Sequence, residues 1–249
     1  MPGVKVSVEG GRVRRVLLDR PEKRNALDPS MLTALETAFP ADPAPSERVA
    51  LLSASGPVFC AGIDLSGFSD GESLIEAAFA AIERYPLPVL AVVGGDAVAG
   101  GAELAFHCDV VVAAESARFS MPLARIGLTP PWPFVLKLVE VVGGPLAREM
   151  LLLGDAVPAA RLAAVGAIAR AVPACKLEGE TQSLVEVVGG LAPLSLRAMK
   201  RALVRAGEAR THLAHGDVDD LARTAGSSRD AVEGIRARLE KRPASFEGR

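Results

Sequence analysis

Val89-Leu90-Ala91-Val92-Val93-Gly94-Gly95-Asp96-Ala97-Val98-Ala99-Gly100-Gly101-Ala102-Glu103-Leu104-Ala105-Phe106 reads as a buried strand, a glycine-rich turn and a short helix. Five apolar residues closed by Gly94 predict the strand, and the helix is expected around Ala102 to Phe106. The pattern repeats outward. Downstream, Asp109 to Ala113 reads as another strand; upstream, Val49 to Leu52 is a buried strand followed by a glycine-containing turn at Phe59 to Leu65 and a helix from about Ser73 to Arg84. At the start of the chain Val4, Val6 and Val8 alternate with polar residues, Gly10-Gly11 turns, and Val13 to Leu18 returns as a second strand. Asp28 before Pro29 is the N-cap signature of a helix running through Leu32, Leu35 and Phe39. Strands alternating with helices indicate an α/β layered fold. After about residue 132 the spacing turns helical, through Val135–Val142, Leu146–Leu153, Pro158–Ala167 and Leu184–Val188. From Pro193 onward only helices are expected: Pro193 to Ala206, Asp217 to Thr224 and Arg229 to Lys241. The division is therefore an α/β core over 1–192 and a helical region over 193–249.

Composition narrows the function. Among 249 residues, 28 Lys+Arg stand against 30 Asp+Glu, a net charge of −2 that argues against a dedicated nucleic-acid binder. No apolar run approaches the ~20 residues of a membrane helix, and Met1 to Gly10 lacks the apolar core of a signal peptide. Cys60, Cys108 and Cys175 form no C-x-x-C pair, which fits a reducing compartment, so the expected location is the cytoplasm. His212 and His215 could share a helix face but have no third ligand nearby, and no metal is expected. Neither glycine turn fits a Walker A loop or G-x-G-x-x-G. Backbone N–H groups at the second turn and helix start can hold a developing oxyanion, with the Glu103 carboxylate alongside. From spacing alone the plainer reading is the favoured one: the glycines make tight turns and Glu103 complements the helix dipole.

Four segments taken in order resemble the enoyl-CoA hydratase/isomerase (crotonase) superfamily across almost the whole chain. Leu18-Asp19-Arg20-Pro21-Glu22-Lys23-Arg24-Asn25-Ala26-Leu27 resembles the family's R-P-x-x-x-N-A-L, and Phe59-Cys60-Ala61-Gly62-Ile63-Asp64-Leu65 its F-x-A-G-x-D-L. Pro88-Val89 through Gly100-Gly101-Ala102-Glu103-Leu104 to Cys108-Asp109 is similar to its central glycine motif. The tail Ser228-Arg229-Asp230-Ala231-Val232-Glu233-Gly234, then Glu240-Lys241-Arg242-Pro243 and Phe246, completes the match. The resemblance implies a spiral of ββα repeats with a helical C-terminal region that builds trimers, often paired into hexamers. The implied ligand is an acyl or enoyl thioester of coenzyme A, acting as substrate, with no separate cofactor. Its thioester oxygen would sit between the backbone N–H groups of Ile63 and Gly100, with Glu103 as acid/base. Lys23, Arg24, Ala26, Ala61, Asp64, Leu65 and Ser66 would hold the CoA moiety. Lys241 would reach a phosphate of CoA on a neighbouring subunit. For Lys23, Arg24 and Lys241, simple solvated charge is the competing reading.

The departures bear on the reaction. The family's second glutamate falls at Leu123, within Phe119-Ser120-Met121-Pro122-Leu123, and leucine cannot move a proton. Pro131, in Thr129-Pro130-Pro131-Trp132-Pro133, replaces a glycine whose amide helps orient water, and proline has no N–H. Trp132 and its prolines either line a reshaped acyl pocket, together with Leu123, or stiffen a surface loop. The expected activity is hydration of an enoyl-CoA in fatty-acid metabolism. Isomerisation, thioester cleavage and non-catalytic acyl-CoA binding are the alternatives.

Overall fold

The alternating valines build a hairpin: β1 (Val4–Glu9) pairs antiparallel with β2 (Val13–Leu18), Val6 opposite Val16, around Gly10 and Gly11 at positive φ. The structure, a computed structural model, describes residues 3–65, 72–208 and 213–249. Asp28 caps α1 (Pro29–Ala38), its carboxylate accepting the Met31 N–H at 2.9 Å. The chain then runs through β3 (Val49–Ala54), β4 (Val58–Cys60), α2 (Glu72–Arg84), β5 (Val89–Val93), β6 (Asp96–Val98), α3 (Gly100–Phe106), β7 (Val110–Ala114), β8 (Arg118–Ser120) and α4 (Trp132–Arg148). After these come β9 (Val157–Pro158), α5 (Ala159–Ala164), β10 (Arg170–Val172), α6 (Leu177–Gly190), α7 (Pro193–Glu208), α8 (Gly216–Gly226) and α9 (Arg229–Glu240).

Two sheets result, a six-stranded one in the order β1-β2-β3-β5-β7-β10 and a four-stranded one in the order β4-β6-β8-β9. Three successive units, β3-β4-α2, β5-β6-α3 and β7-β8-α4, each give one strand to each sheet. This is the spiral of ββα turns. Pairing is parallel from β2 through β10 in the large sheet and from β4 to β8 in the small one. The core lies between the sheets and α1–α4, with Leu18, Leu27, Leu35, Leu52, Phe59, Val89 and Phe119 buried.

Two expectations change. Residues 58–60, 96–98 and 118–120 carry short strands that the sequence pattern does not announce, because three residues are too few for an alternation to show. The stretch after residue 132 is not wholly helical: β9 closes the small sheet and β10 pairs with β7. The helices read separately at Val135–Val142 and Leu146–Leu153 are joined across a kink at Gly143 (φ 76°, ψ 160°), followed by Pro145.

The last three helices lie on the outside. In α7 only Lys200 is buried; its ammonium donates to Asp109 Oδ2 at 2.6 Å and to the Leu87 carbonyl at 3.1 Å. The α9 helix packs through Ala231 and Gly234 onto a 3-10 turn, Leu123–Ile126. No helix among the described residues is long and apolar enough to cross a membrane.

Candidate active site

The parallel strands of the small sheet finish side by side, with Cys60 opposite Ala97 and Val98 opposite Ser120. Three loops therefore leave from one edge: Ala61–Leu65, Ala99–Gly101 and Met121–Leu123. The first two are pressed together. Gly62 has φ +94°, and a Cβ there would lie 2.9 Å from the Val98 carbonyl oxygen. At Gly101 a Cβ would lie 2.2 Å from the Cys60 carbonyl oxygen, so no side chain fits. A Cβ on Gly100 would stand 3.6 Å from the Ile63 nitrogen, which puts the two amides next to each other. Ala99 takes φ 49°, ψ −119°, an unfavourable conformation for alanine that costs roughly 1–3 kcal/mol. Its N–H is pinned on the Ser120 carbonyl at 2.8 Å, and its own carbonyl accepts from Ala102 and Glu103. Among the described residues, neither the Ile63 nor the Gly100 N–H donates to a protein acceptor. Two adjacent donors at a helix start are thus left for an oxygen from outside.

Glu103 stands in the first turn of α3, its side chain only 13% exposed. Burial, reinforced by Glu76 on α2, pushes its carboxyl up to about 8. A carboxyl poised there can both accept and return a proton near neutrality. One turn further on, His107 brings Nε2 to 3.9 Å from Glu103 Oε1 and Nδ1 to 3.6 Å from Glu83 Oε2. Glu83 in turn lies 2.5 Å from Lys137. Sequence reasoning missed Glu76, Glu83, His107 and Lys137. Only the Glu103–His107 spacing of four was a visible signal.

The polar loop after β2 locks onto the first turn. The Ala61 N–H donates to Arg24 at 3.0 Å, the Leu27 N–H to Gly62 at 2.8 Å and the Asp64 N–H to Leu27 at 2.9 Å. Arg20, also missed, donates to the Ala26 carbonyl at 3.1 Å and Asp64 Oδ2 at 3.0 Å. Buried Asn25 donates to the Ser55 and Val58 carbonyls at 2.8 and 2.9 Å. The structure thus gathers Lys23, Arg24, Ala26, Ala61, Asp64 and Leu65 into one cluster, with Lys23 and Arg24 exposed. Ser66 lies outside the described residues.

The remaining candidates are more dispersed. Leu123 is half-buried and packs against the core. Pro131 precedes α4, and the Trp132 ring stacks on His215 with centroids 5.7 Å apart. Lys241 is exposed at the left-handed cap of α9. Contacts among the described residues do not join it to the Lys23–Arg24 loop. His212 falls outside the described residues, and His215 faces Asp219 at 2.8 Å. A cavity of about 410 Å³ lies away from this cluster, beside Arg12, Arg48 and Val185.

Known proteins resemble this chain along its length. The sequence profile of enoyl-CoA hydratase/isomerase matches residues 9–249. A Thermus thermophilus protein provisionally named enoyl-CoA hydratase is 36% identical, over 97% of this chain and 100% of its own length. The 2,3-dehydroadipyl-CoA hydratase of Escherichia coli is 30% identical over 96% of each chain. Among solved structures, carnitinyl-CoA hydratase from Mycobacterium avium superposes with TM-score 0.86 at 30% identity, covering both chains completely. A methylmalonyl-CoA decarboxylase complexed with 2S-carboxypropyl-CoA reaches 0.90 at 25% identity, over 100% of this chain and 99% of that one.

Proposed function

This chain belongs to the enoyl-CoA hydratase/isomerase family, and we propose that it hydrates the 2,3 double bond of an enoyl-CoA. The observation that carries the reading is the buried Glu103 carboxyl one turn from the paired Ile63 and Gly100 amides. In this mechanism the thioester oxygen accepts both N–H groups, and enolate charge develops on it as water adds. Losing one such donor typically costs ~3–4 kcal/mol of barrier. The Glu103 carboxylate takes a proton from water while the water oxygen bonds to C3, then returns a proton to C2. One carboxylate so serves in both directions. Lys23, Arg24, Ala26, Ala61, Asp64, Leu65 and Ser66 hold the CoA end, joined by Lys241 of a neighbouring copy in a trimer or pair of trimers. Leu123, Pro131 and Trp132 line the acyl end. No cofactor enters beyond the CoA of the substrate itself, and the reaction belongs to fatty-acid metabolism in the cytoplasm.

Half-buried Leu123, standing where a second acid would be, favours one rival: an acyl-CoA-binding protein with little turnover. Steady-state assays on crotonyl-CoA and longer enoyl-CoAs, beside an acyl-CoA binding titration, separate the two. Glu103→Gln is expected to keep the CoA ester and lose turnover by at least roughly 10²-fold. A wild type that binds acyl-CoA tightly but turns over none of these esters removes the hydratase reading.

A further inference from the structure

We propose that Arg20 is a positioning residue for the Ile63 amide, acting through two peptide units that are hydrogen-bonded end to end. The inference rests on reading the Ile63 and Gly100 N–H groups as donors to a thioester oxygen, and it adds what aims one of them. The series starts at the Arg20 guanidinium, which donates through Nη1 to the Ala26 carbonyl at 3.1 Å. That carbonyl belongs to the Ala26–Leu27 peptide, whose N–H donates to the Gly62 carbonyl at 2.8 Å. The Gly62 carbonyl belongs in turn to the Gly62–Ile63 peptide, whose N–H is the oxyanion donor. Both peptides are trans, and in a planar trans peptide the C=O and N–H point in opposite directions. Each bond therefore fixes the direction of the next, and the Ile63 N–H is turned away from Leu27.

The grip closes on both sides of Ile63. Arg20 Nη1 also donates to Asp64 Oδ2 at 3.0 Å, while the Asp64 N–H donates to the Leu27 carbonyl at 2.9 Å. The peptide before Ile63 and the peptide after it are thus both tied to Leu27. From the strand side, Cys60 Sγ accepts the Gly62 N–H at 3.4 Å. Arg20 Nη1 lies 3.1 Å from Asp28 Oδ2 as well, so its charge is shared between two carboxylates. What the guanidinium gives the series is a fixed anchor rather than an unshielded cation. Peptides hydrogen-bonded in a row also polarise one another, by ~10–30% per bond, here in the sense that makes the Ile63 N–H a better donor. Docking of the loop itself does not depend on the guanidinium. Buried Asn25 donates to the Ser55 and Val58 carbonyls and accepts the Arg20 backbone N–H at 2.8 Å. Removing the Arg20 side chain should therefore leave the loop in place and loosen the peptides that aim the donor.

The carbonyl band of a bound thioester reads the donor directly and needs no turnover. Butyryl-CoA and octanoyl-CoA, isotope-labelled at the thioester carbonyl, are bound to the full-length protein and followed by difference infrared spectroscopy. Wild type is expected to lower the labelled band below its position in water, because the two donors polarise the C=O. Arg20→Met keeps an unbranched stem without the donor, and is expected to move the band back toward its position in water. With an enoyl-CoA as substrate, its kcat should fall by about 10-fold or more while KM stays within about threefold. If Arg20 only fastened the loop, the variant would raise KM or lower Tm and leave the band in place, and that result overturns the proposal. Replacing Leu27 by its α-hydroxy acid deletes the middle N–H and keeps every side chain, so it decides the matter even if R20M does not fold. An unmoved band in that protein overturns the proposal too. A wild type that binds neither ester, or binds one with its band where it lies in water, overturns the series of bonds together with the thioester site. A band that shifts as expected in a protein that hydrates no enoyl-CoA keeps the role of Arg20 and removes only the hydratase reading.

Discussion

Ionising a carboxyl that is 13% exposed beside another acid costs more in the folded chain than in the unfolded one. Glu103 rises from its ordinary 4.5 to about 8, so between those values the folded state binds more protons than the unfolded state. Stability owed to this group is fully present below about 4.5 and is lost as pH rises toward 8. Thermal melts of E103Q against wild type should therefore differ little near pH 4.5, with the variant gaining progressively up to about pH 8. A pH-independent difference would mean that Glu103 is not held neutral in the fold. At Leu123 the expectation runs the other way. Under the proposed hydratase reading, Leu123→Glu would supply a second acid and should raise hydration of a short enoyl-CoA while leaving acyl-CoA binding roughly intact; general acid–base groups commonly give ~10²–10⁴-fold. On the same reading Pro131 would blunt the gain, since proline offers the water no N–H. A folded, binding variant with no gain in steady-state rate rules out Leu123 as the sole deficit. At this scale Glu103 was legible because it follows a glycine turn directly. Its setting was not, because Glu76 and Glu83 come from a helix some twenty residues earlier and meet it only after α2 has packed.

Elements with room for a pattern declared themselves: β1, β2 and α1 show alternation, paired glycines and an Asp-Pro cap. The small sheet did not, since β4, β6, β8 and β9 span only two or three residues each. Yet that sheet sets the site, because its parallel strands end together beneath the two glycine turns. The glycines themselves were visible, whereas the reason for them is a close approach that only the assembled strands reveal. The same logic ties the tail to the core. A Cβ on Gly234 would lie 2.4 Å from the Ile126 carbonyl carbon, in contact with backbone that cannot swing away. Gly234→Ala should therefore lift α9 off the turn that begins with Leu123, costing about 1–3 kcal/mol. The expected readout is a lower Tm together with faster amide exchange confined to α9 and residues 123–126. Unchanged α9 protection would show that the helix is held elsewhere.

The whole molecule exposes 12,728 Å², whereas a monomer of its mass is expected to expose about 10,500 Å². Several of the most exposed large apolar side chains lie on the last helices. Leu194 is 78% exposed and Leu203 71%, with Met199, Leu221 and Leu239 similarly open. Leu203 and Met199 sit four residues apart on α7, so they form part of one stripe. Meanwhile α7 is held to the core by the charged Lys200–Asp109 contact and α8 buries none of its residues, so the tail has little apolar support within its own chain. An exposed apolar stripe of this kind calls for a partner. In the proposed trimer a second and third copy would supply one by symmetry, with Lys241 assigned by that proposal to a neighbour's Lys23–Arg24 loop. Sedimentation equilibrium at micromolar concentration is accordingly expected to give three or six times the 25.8 kDa chain mass. Replacing Leu194 and Leu203 together by Glu should shift the protein toward monomer and weaken acyl-CoA binding with it, since the neighbour's lysine departs. A wild-type monomer would overturn the assembly and Lys241's role together. A monomeric variant that binds acyl-CoA as well as wild type would overturn Lys241's role alone.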